Sequence, residues 1–306
     1  MPLSPLSIKP LEELVLSKCD SFVRMGVWPS GEKIRPRKWL ENFNETEKEF
    51  ALYLLNSFTY YNMDLCIALL RASFLNLSTL LTPCDTIRQH LSNWDKLLAD
   101  SVFIPVTGES RNITDSGNIL AAYLRREMLI PQDNILTVDL LYDPGYLHIL
   151  KTFKHVIFFD DFVGSGRQFL TMWNDDFEKE AKIFDSVHDQ CKKLSLTSHY
   201  CAMLGTKYGV NRIIREASDI DLHFAHILEE NMSPIHPDSI VWPEHLKKDA
   251  LDFIMNTSRR AGIPDNQIAG FHNLGLTIAF NFTIPDATLP IFRWKKNGWF
   301  ALMEKN

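Results

Sequence analysis

Along the first hundred residues, apolar positions recur at helical spacing. Residues 11–25 repeat every three to four positions and stop near Gly26 and Pro29. Asn44, with Glu47 three residues on, sets up an N-cap ahead of Phe50, Leu54, Leu55 and Phe58, which share one helical face. A more apolar helix is predicted over 63–81, ending before Pro83. From Val102 the period changes, and short apolar runs alternate with helical stretches, as in βαβ units and a parallel sheet. Strands are predicted over 102–106, 135–141, 155–159 and 200–204, the last ending in Gly205-Thr206-Lys207, with helices over 117–127 and from about Gly166. The chain thus reads as a mainly helical region, 1–98, and an α/β domain with a C-terminal extension, 99–306. In open α/β sheets ligands bind beyond the carboxyl ends of the strands, so the turns after Val106, Leu141, Phe159 and Leu204 are expected on one rim.

Composition narrows function more than fold. At 306 residues and 45% hydrophobic, the chain can bury a sizeable core, which excludes wholesale disorder. A net charge of −6 argues against generic coating of nucleic acid. The basic run Lys33-Ile34-Arg35-Pro36-Arg37-Lys38 is read as a solvated loop, with an anchor for nucleic acid or an acidic partner as the alternative. Five scattered cysteines without a C-x-x-C predict reduced, buried thiols. No leader pattern opens the chain, and residues 65–81 are interrupted by Arg71, Ser73, Asn76 and Ser78. The expectation is a soluble cytoplasmic protein with no membrane partner, and an oligomer is compatible with it.

One segment constrains chemistry most. Val156-Ile157-Phe158-Phe159 runs into Asp160-Asp161-Phe162-Val163 and then Gly164-Ser165-Gly166-Arg167-Gln168. A buried strand ending in two carboxylates, followed by a glycine-rich turn that opens a helix, offers convergent N–H groups to a phosphate. The acids would repel that anion. They suit sugar hydroxyls, or a magnesium ion held through water. Phosphate, diol and metal together suggest a phosphorylated ribose. A P-loop NTPase is excluded because no G-x-x-x-x-G-K-[ST] occurs, and the dinucleotide fingerprint fails for want of a third glycine. No G-x-S-x-G elbow supports a serine hydrolase. His223, His226, His236 and His245 have no cysteine partners at zinc-site spacing. Phe292, Trp294, Trp299 and Phe300 are read as core or partner-contact residues.

The segment resembles the signature of type I phosphoribosyltransferases, with Asp160 and Asp161 matching their acidic pair. The resemblance implies that Asp160 and Asp161 hold the ribose hydroxyls as catalytic and metal-binding residues, with magnesium as cofactor. It further implies that Gly164, Ser165, Gly166, Arg167 and Gln168 take the 5-phosphate, and that Thr107, Gly108, Glu109, Ser110 and Arg111 contact pyrophosphate. Gly164 stands where purine-salvage members often carry a base-like aspartate, and Gln168 where a threonine usually donates to the phosphate. The stretch Tyr142-Asp143-Pro144-Gly145-Tyr146 is short for the family's flexible catalytic loop.

A second resemblance lies in the tail, from Gly270-Phe271-His272-Asn273-Leu274-Gly275-Leu276 through Thr283-Ile284-Pro285 to Leu289-Pro290-Ile291 and Trp294. With the signature and the helical front, it is similar to the phosphoribosyltransferase-like effectors of bacterial conflict systems, some of them retron-associated. That likeness implies a toxic antiphage effector restrained by a reverse transcriptase and its RNA–DNA hybrid. Three classes follow: an enzyme acting on phosphoribosyl pyrophosphate or a nucleotide at the ribose, a catalytically degenerate nucleotide-sensing or partner-binding module, and a nucleic-acid-contacting scaffold.

Overall fold

The computed structural model describes residues 5–81, 83, 85–107, 115–179 and 182–304. In chain order the elements are α1 (Pro5–Arg24), α2 (Pro36–Leu40), α3 (Lys48–Ser57), β1 (Thr59–Tyr61), α4 (Met63–Leu75), α5 (Ile87–Ala99), β2 (Ser101–Pro105) and α6 (Asp115–Glu127). There follow α7 (Leu147–Leu150), β3 (His155–Val163), α8 (Arg167–Asn174), β4 (Asp176–Lys179), β5 (Lys182–Ser186), α9 (Val187–Lys193), β6 (Thr197–Thr206), α10 (Lys207–Glu216), β7 (Asp221–Leu228), α11 (Glu244–Arg260) and β8 (Ile278–Phe280).

The chain folds as two compact units, one joining residues 1–65 to 229–306 and the other comprising 66–228. This differs from the linear division expected at residue 98. The physical reason is the first unit's core. Trp39, Leu52 and Leu55 from the front of the chain are buried with Ile254, Leu289, Phe292 and Trp299 from its end. Trp39 Nε1 and Trp299 Nε1 both donate to the Ile291 carbonyl at 3.0 Å, and Trp39 stacks on Phe292 at 5.3 Å. β1 pairs in parallel with β8, joining segments more than 200 residues apart. Of the tail aromatics, Phe292 and Trp299 are therefore core, whereas Phe300 is exposed beneath the Lys38 ammonium at 4.0 Å.

Local predictions in this unit hold at the caps. Asn44 Oδ1 accepts from the N–H groups of Thr46 and Glu47, while Glu47 Oε2 accepts from Asn44 N–H at 3.1 Å, closing the reciprocal turn ahead of α3. The basic run is partly helical as α2, with Pro36 at its first turn. Its Arg35, Arg37 and Lys38 are paired with Glu304, Asp20 and Glu41.

The second unit is built on a parallel four-stranded sheet in the order β2-β3-β6-β7, flanked by helices as expected. On one face, Phe158, Phe169, Trp173 and Tyr200 form an aromatic stack beneath α8. On the other, Phe74 of α4 meets Phe103 at 6.0 Å and Phe159 at 6.4 Å. By length and composition alone the helical stretch Met63–Leu80 would suffice to cross a membrane, despite the polar interruptions at Arg71, Ser73, Asn76 and Ser78. In the fold, its Cys66, Leu70, Phe74 and Leu77 are buried.

Two strand predictions are corrected. Residues 135–141 form no strand: Ile135 makes one bridge to Phe103, and Val138–Tyr142 is a 3₁₀ turn. Val138, Leu141 and Tyr142 are all buried, so the core takes residues three and four apart rather than alternate ones. β3 does not stop at Phe159 but runs through both acids to Val163, because Asp160, Phe162 and Val163 keep their register with Ala202, Leu204 and Gly205.

Candidate functional site

Because β2, β3 and β6 are parallel, their carboxyl ends lie side by side. Thr107 follows β2, the turn Gly164–Gly166 follows β3, and Thr206 ends β6. Val106 N–H donates to the Phe159 carbonyl at 2.9 Å, which continues the β2–β3 register to the level of the acids. Thr107 is buried, and among the described residues its hydroxyl meets no hydrogen-bond partner. An unused hydroxyl beside two acids is a ready group for a ligand. Gly108, Glu109, Ser110 and Arg111 lie outside the described residues.

Successive side chains on a strand point to opposite faces. Asp160 therefore shares a face with Phe158 and Tyr200, and the Tyr200 hydroxyl donates to Asp160 Oδ2 at 3.2 Å. Asp161 shares the opposite face with Phe159, and the Ser116 hydroxyl at the start of α6 donates to it. The two carboxyls still lie close enough for a mutual hydrogen bond. Both residues are nearly covered by protein. Burial above all, then the charge of Asp161, pushes the Asp160 carboxyl well above the usual carboxylate range. Burial also raises Asp161, less far, because hydrogen bonds from Asp160, backbone N–H groups and Ser116 favour its charged form. The site thus holds a desolvated acid pair that gains from any cation or hydroxyl donor brought to it.

The turn beyond the acids is shaped by backbone. Gly166 sits at φ +71°, in the left-handed region, immediately before α8. An added Cβ there would lie 3.0 Å from the Gly209 carbonyl and from Ile213 Cγ1. Arg167 N–H reaches Ser165 Oγ at the long distance of 3.4 Å. The side chain of Arg167 is exposed and that of Gln168 half-buried, so both stand at the rim. The tip of the turn rests on the start of α10: Thr206 Oγ1 donates to the Gly164 carbonyl at 2.5 Å, and Arg212 Nη1 approaches the Ser165 carbonyl at 3.5 Å.

The structure thus brings together Asp160, Asp161, Thr107 and the Gly164–Gln168 turn. It does not bring residues 142–146 to that rim by a strand end. Tyr142 instead stacks on Phe177 at 4.4 Å and donates to the Asp185 carbonyl at 2.9 Å, tying this turn to the β4–β5 hairpin. Sequence reasoning missed Tyr200, Ser116, Thr206 and Arg212. A hydroxyl inside an apolar strand was the available signal for Tyr200, and Thr206 with Gly209 carries the pattern of a helix N-cap. His223 lies in β7 beside buried His199, and among the described residues no group of three or more His, Cys, Asp or Glu could hold a metal.

No curated protein matches the chain at a significant level. The family model PRTase-CE matches residues 36–305, taking in both units and the whole of the rim just described. The chain is therefore a member of the PRTase-CE family, a phosphoribosyltransferase-like family.

Proposed function

We propose that this rim binds a ribose 5-phosphate-type ligand, phosphoribosyl pyrophosphate or a nucleotide, and that the protein transfers or cleaves at the ribose. The observation that supports this most is the buried Asp160–Asp161 pair next to a turn of glycine-rich backbone, with the unused Thr107 hydroxyl alongside. In this reading the acids accept hydrogen bonds from the ribose hydroxyls, and the Gly164–Gln168 turn holds the 5-phosphate. Thr107, with Gly108 to Arg111, faces the pyrophosphate.

The donor set also fits magnesium. Two carboxylates with substrate phosphates are a common way to bind that hydrophilic ion, which usually keeps several waters. When bound it would neutralise charge developing on a departing pyrophosphate. The residues themselves orient the diol, hold the phosphate, and place two carboxylates near the ribose, where an oxocarbenium-like transition state gains from negative charge. The similarity of the tail to conflict-system effectors extends the proposal to a cytoplasmic antiphage toxin held in check by a reverse transcriptase with its RNA–DNA hybrid.

A second reading is a sensor that binds the ligand without turnover. It is favoured by Gly164 and Gln168 in place of the family's usual aspartate and threonine, and by the tethered 142–146 turn. Titration calorimetry with phosphoribosyl pyrophosphate and with ATP, with and without magnesium, tests the site. Magnesium-dependent binding that disappears in the Asp160→Asn/Asp161→Asn double variant is expected, and absence of binding to either ligand overturns it. Release of pyrophosphate or of a free base then separates enzyme from sensor. Undiminished toxicity of Asp161→Asn would sink the effector proposal in its enzymatic form.

A further inference from the structure

The contact between the phosphate turn and α10 carries more than packing. A peptide group is planar and trans, so the carbonyl of one residue and the N–H of the next point in opposite directions. Whatever fixes the Gly164 carbonyl therefore aims the Ser165 N–H, and whatever fixes the Ser165 carbonyl aims the Gly166 N–H. Thr206 Oγ1 donates to the Gly164 carbonyl at 2.5 Å while accepting from Gly209 N–H at 3.0 Å, so the hydroxyl is held from both sides. Arg212 Nη1 lies 3.5 Å from the Ser165 carbonyl, and Glu216 steadies the same guanidinium at 2.9 Å. Gly209 leaves room for this approach, since a Cβ there would stand 2.2 Å from the Gly164 carbonyl oxygen. Among the described residues the N–H groups of Ser165 and Gly166 meet no acceptor, so both remain for a ligand.

We propose that Thr206, assisted by Arg212, is a positioning residue for the phosphate turn. It draws the turn's carbonyls toward α10 so that the Ser165 and Gly166 N–H groups converge on the 5-phosphate of the ligand. The inference rests on the ribose 5-phosphate reading of this rim. Neither residue touches the ligand. Their effect passes through the direction of two peptide groups, so it falls on the monophosphate end of the ligand and not on its pyrophosphate end.

The test uses the full chain and two probes measured separately, ribose 5-phosphate and magnesium pyrophosphate. Thr206→Val, which keeps the shape and removes the hydroxyl, is expected to weaken ribose 5-phosphate at least tenfold and to leave magnesium pyrophosphate within twofold. Thr206→Ser, which restores the hydroxyl, is expected to return ribose 5-phosphate binding to within threefold of the parent. Unchanged ribose 5-phosphate binding in Thr206→Val overturns the proposal, as does equal weakening of both probes. If Thr206→Val fails to fold, Arg212→Ala provides the decision: a selective loss of threefold or more for ribose 5-phosphate supports the proposal, and none overturns it. Failure of the parent protein to bind either probe would instead remove the reading of the site itself.

Discussion

Tyr200 and Asp160 meet across two neighbouring parallel strands, the phenol hydroxyl 3.2 Å from Oδ2 of a carboxyl buried against an aromatic stack. The bond compensates only part of the desolvation, and the carboxyl stays well above the usual range. A carboxyl raised in the folded state binds its proton more tightly there than in the unfolded chain. Its stabilising contribution is full below the unfolded value and is lost as pH rises through the folded one.

Asp160→Asn follows from this. An amide keeps an acceptor for Tyr200 and removes the buried charge. The ligand-free variant should be more stable than the parent near pH 8 by about 1–3 kcal/mol, the scale of an uncompensated buried polar group. The gain should shrink toward pH 4. Thermal unfolding across that range reads it, and a gain that grows on acidification would contradict the assignment.

Asp161→Asn probes the ligand side. Asp161 already accepts bonds from Ser116 and backbone N–H groups, which an amide oxygen partly retains, so the fold should be kept. Loss of a charged acceptor for a hydroxyl is worth about 1.5–3 kcal/mol, roughly ten- to a hundredfold in affinity. Calorimetry beside circular dichroism separates the two effects.

Gly166→Ala tests the turn's backbone. A side chain at φ +71° is strained, and its Cβ would press on the Gly209 carbonyl and Ile213 at 3.0 Å. A cost of about 1–3 kcal/mol is expected. A variant as stable as the parent would show that the turn adopts another conformation.

His199 provides a pH test at the opposite end of the sheet. It lies 3.1 Å from His155 Nδ1 through its Nε2, packs near His223, and is held neutral. Burial first, then the neighbouring histidines, pushes it down to about 3. His155 and His223 are lowered as well, chiefly by burial, while Asp221, 3.5 Å from the His199 Nδ1, lies on the exposed side. Below about pH 6.5 the unfolded chain takes up protons that the folded one refuses, so stability falls on acidification. Between pH 7 and 5 His199 alone should cost about 2 kcal/mol, and His199→Gln should flatten that slope in denaturant titrations.

Much of the secondary structure was legible because its signals are local. Helical spacing over 11–25, the Asn44–Glu47 cap and the apolar run into Asp160 and Asp161 depend on residues a few positions apart, and each appears in the fold. The adjacency of the acids to the Gly164–Gly166 turn is equally local, so this part of the candidate site could be read directly. Residues 135–141 misled because five apolar residues in seven satisfy a strand and a buried 3₁₀ turn alike.

The amino-acid order by itself determined which segments become helices and strands, and that a carboxylate pair precedes a glycine turn. Propensity, capping and backbone freedom act over a few residues, and those residues carry the information. The tertiary structure decided which distant segments share a core. It placed Trp39 against Phe292, joined β1 to β8, aligned His155, His199 and His223, and set Thr206 on the Gly164 carbonyl 42 residues away. Those choices turn on which apolar faces bury one another and which polar groups thereby lose water. That balance exists only once the whole chain has collapsed, so it leaves no periodic mark in the sequence.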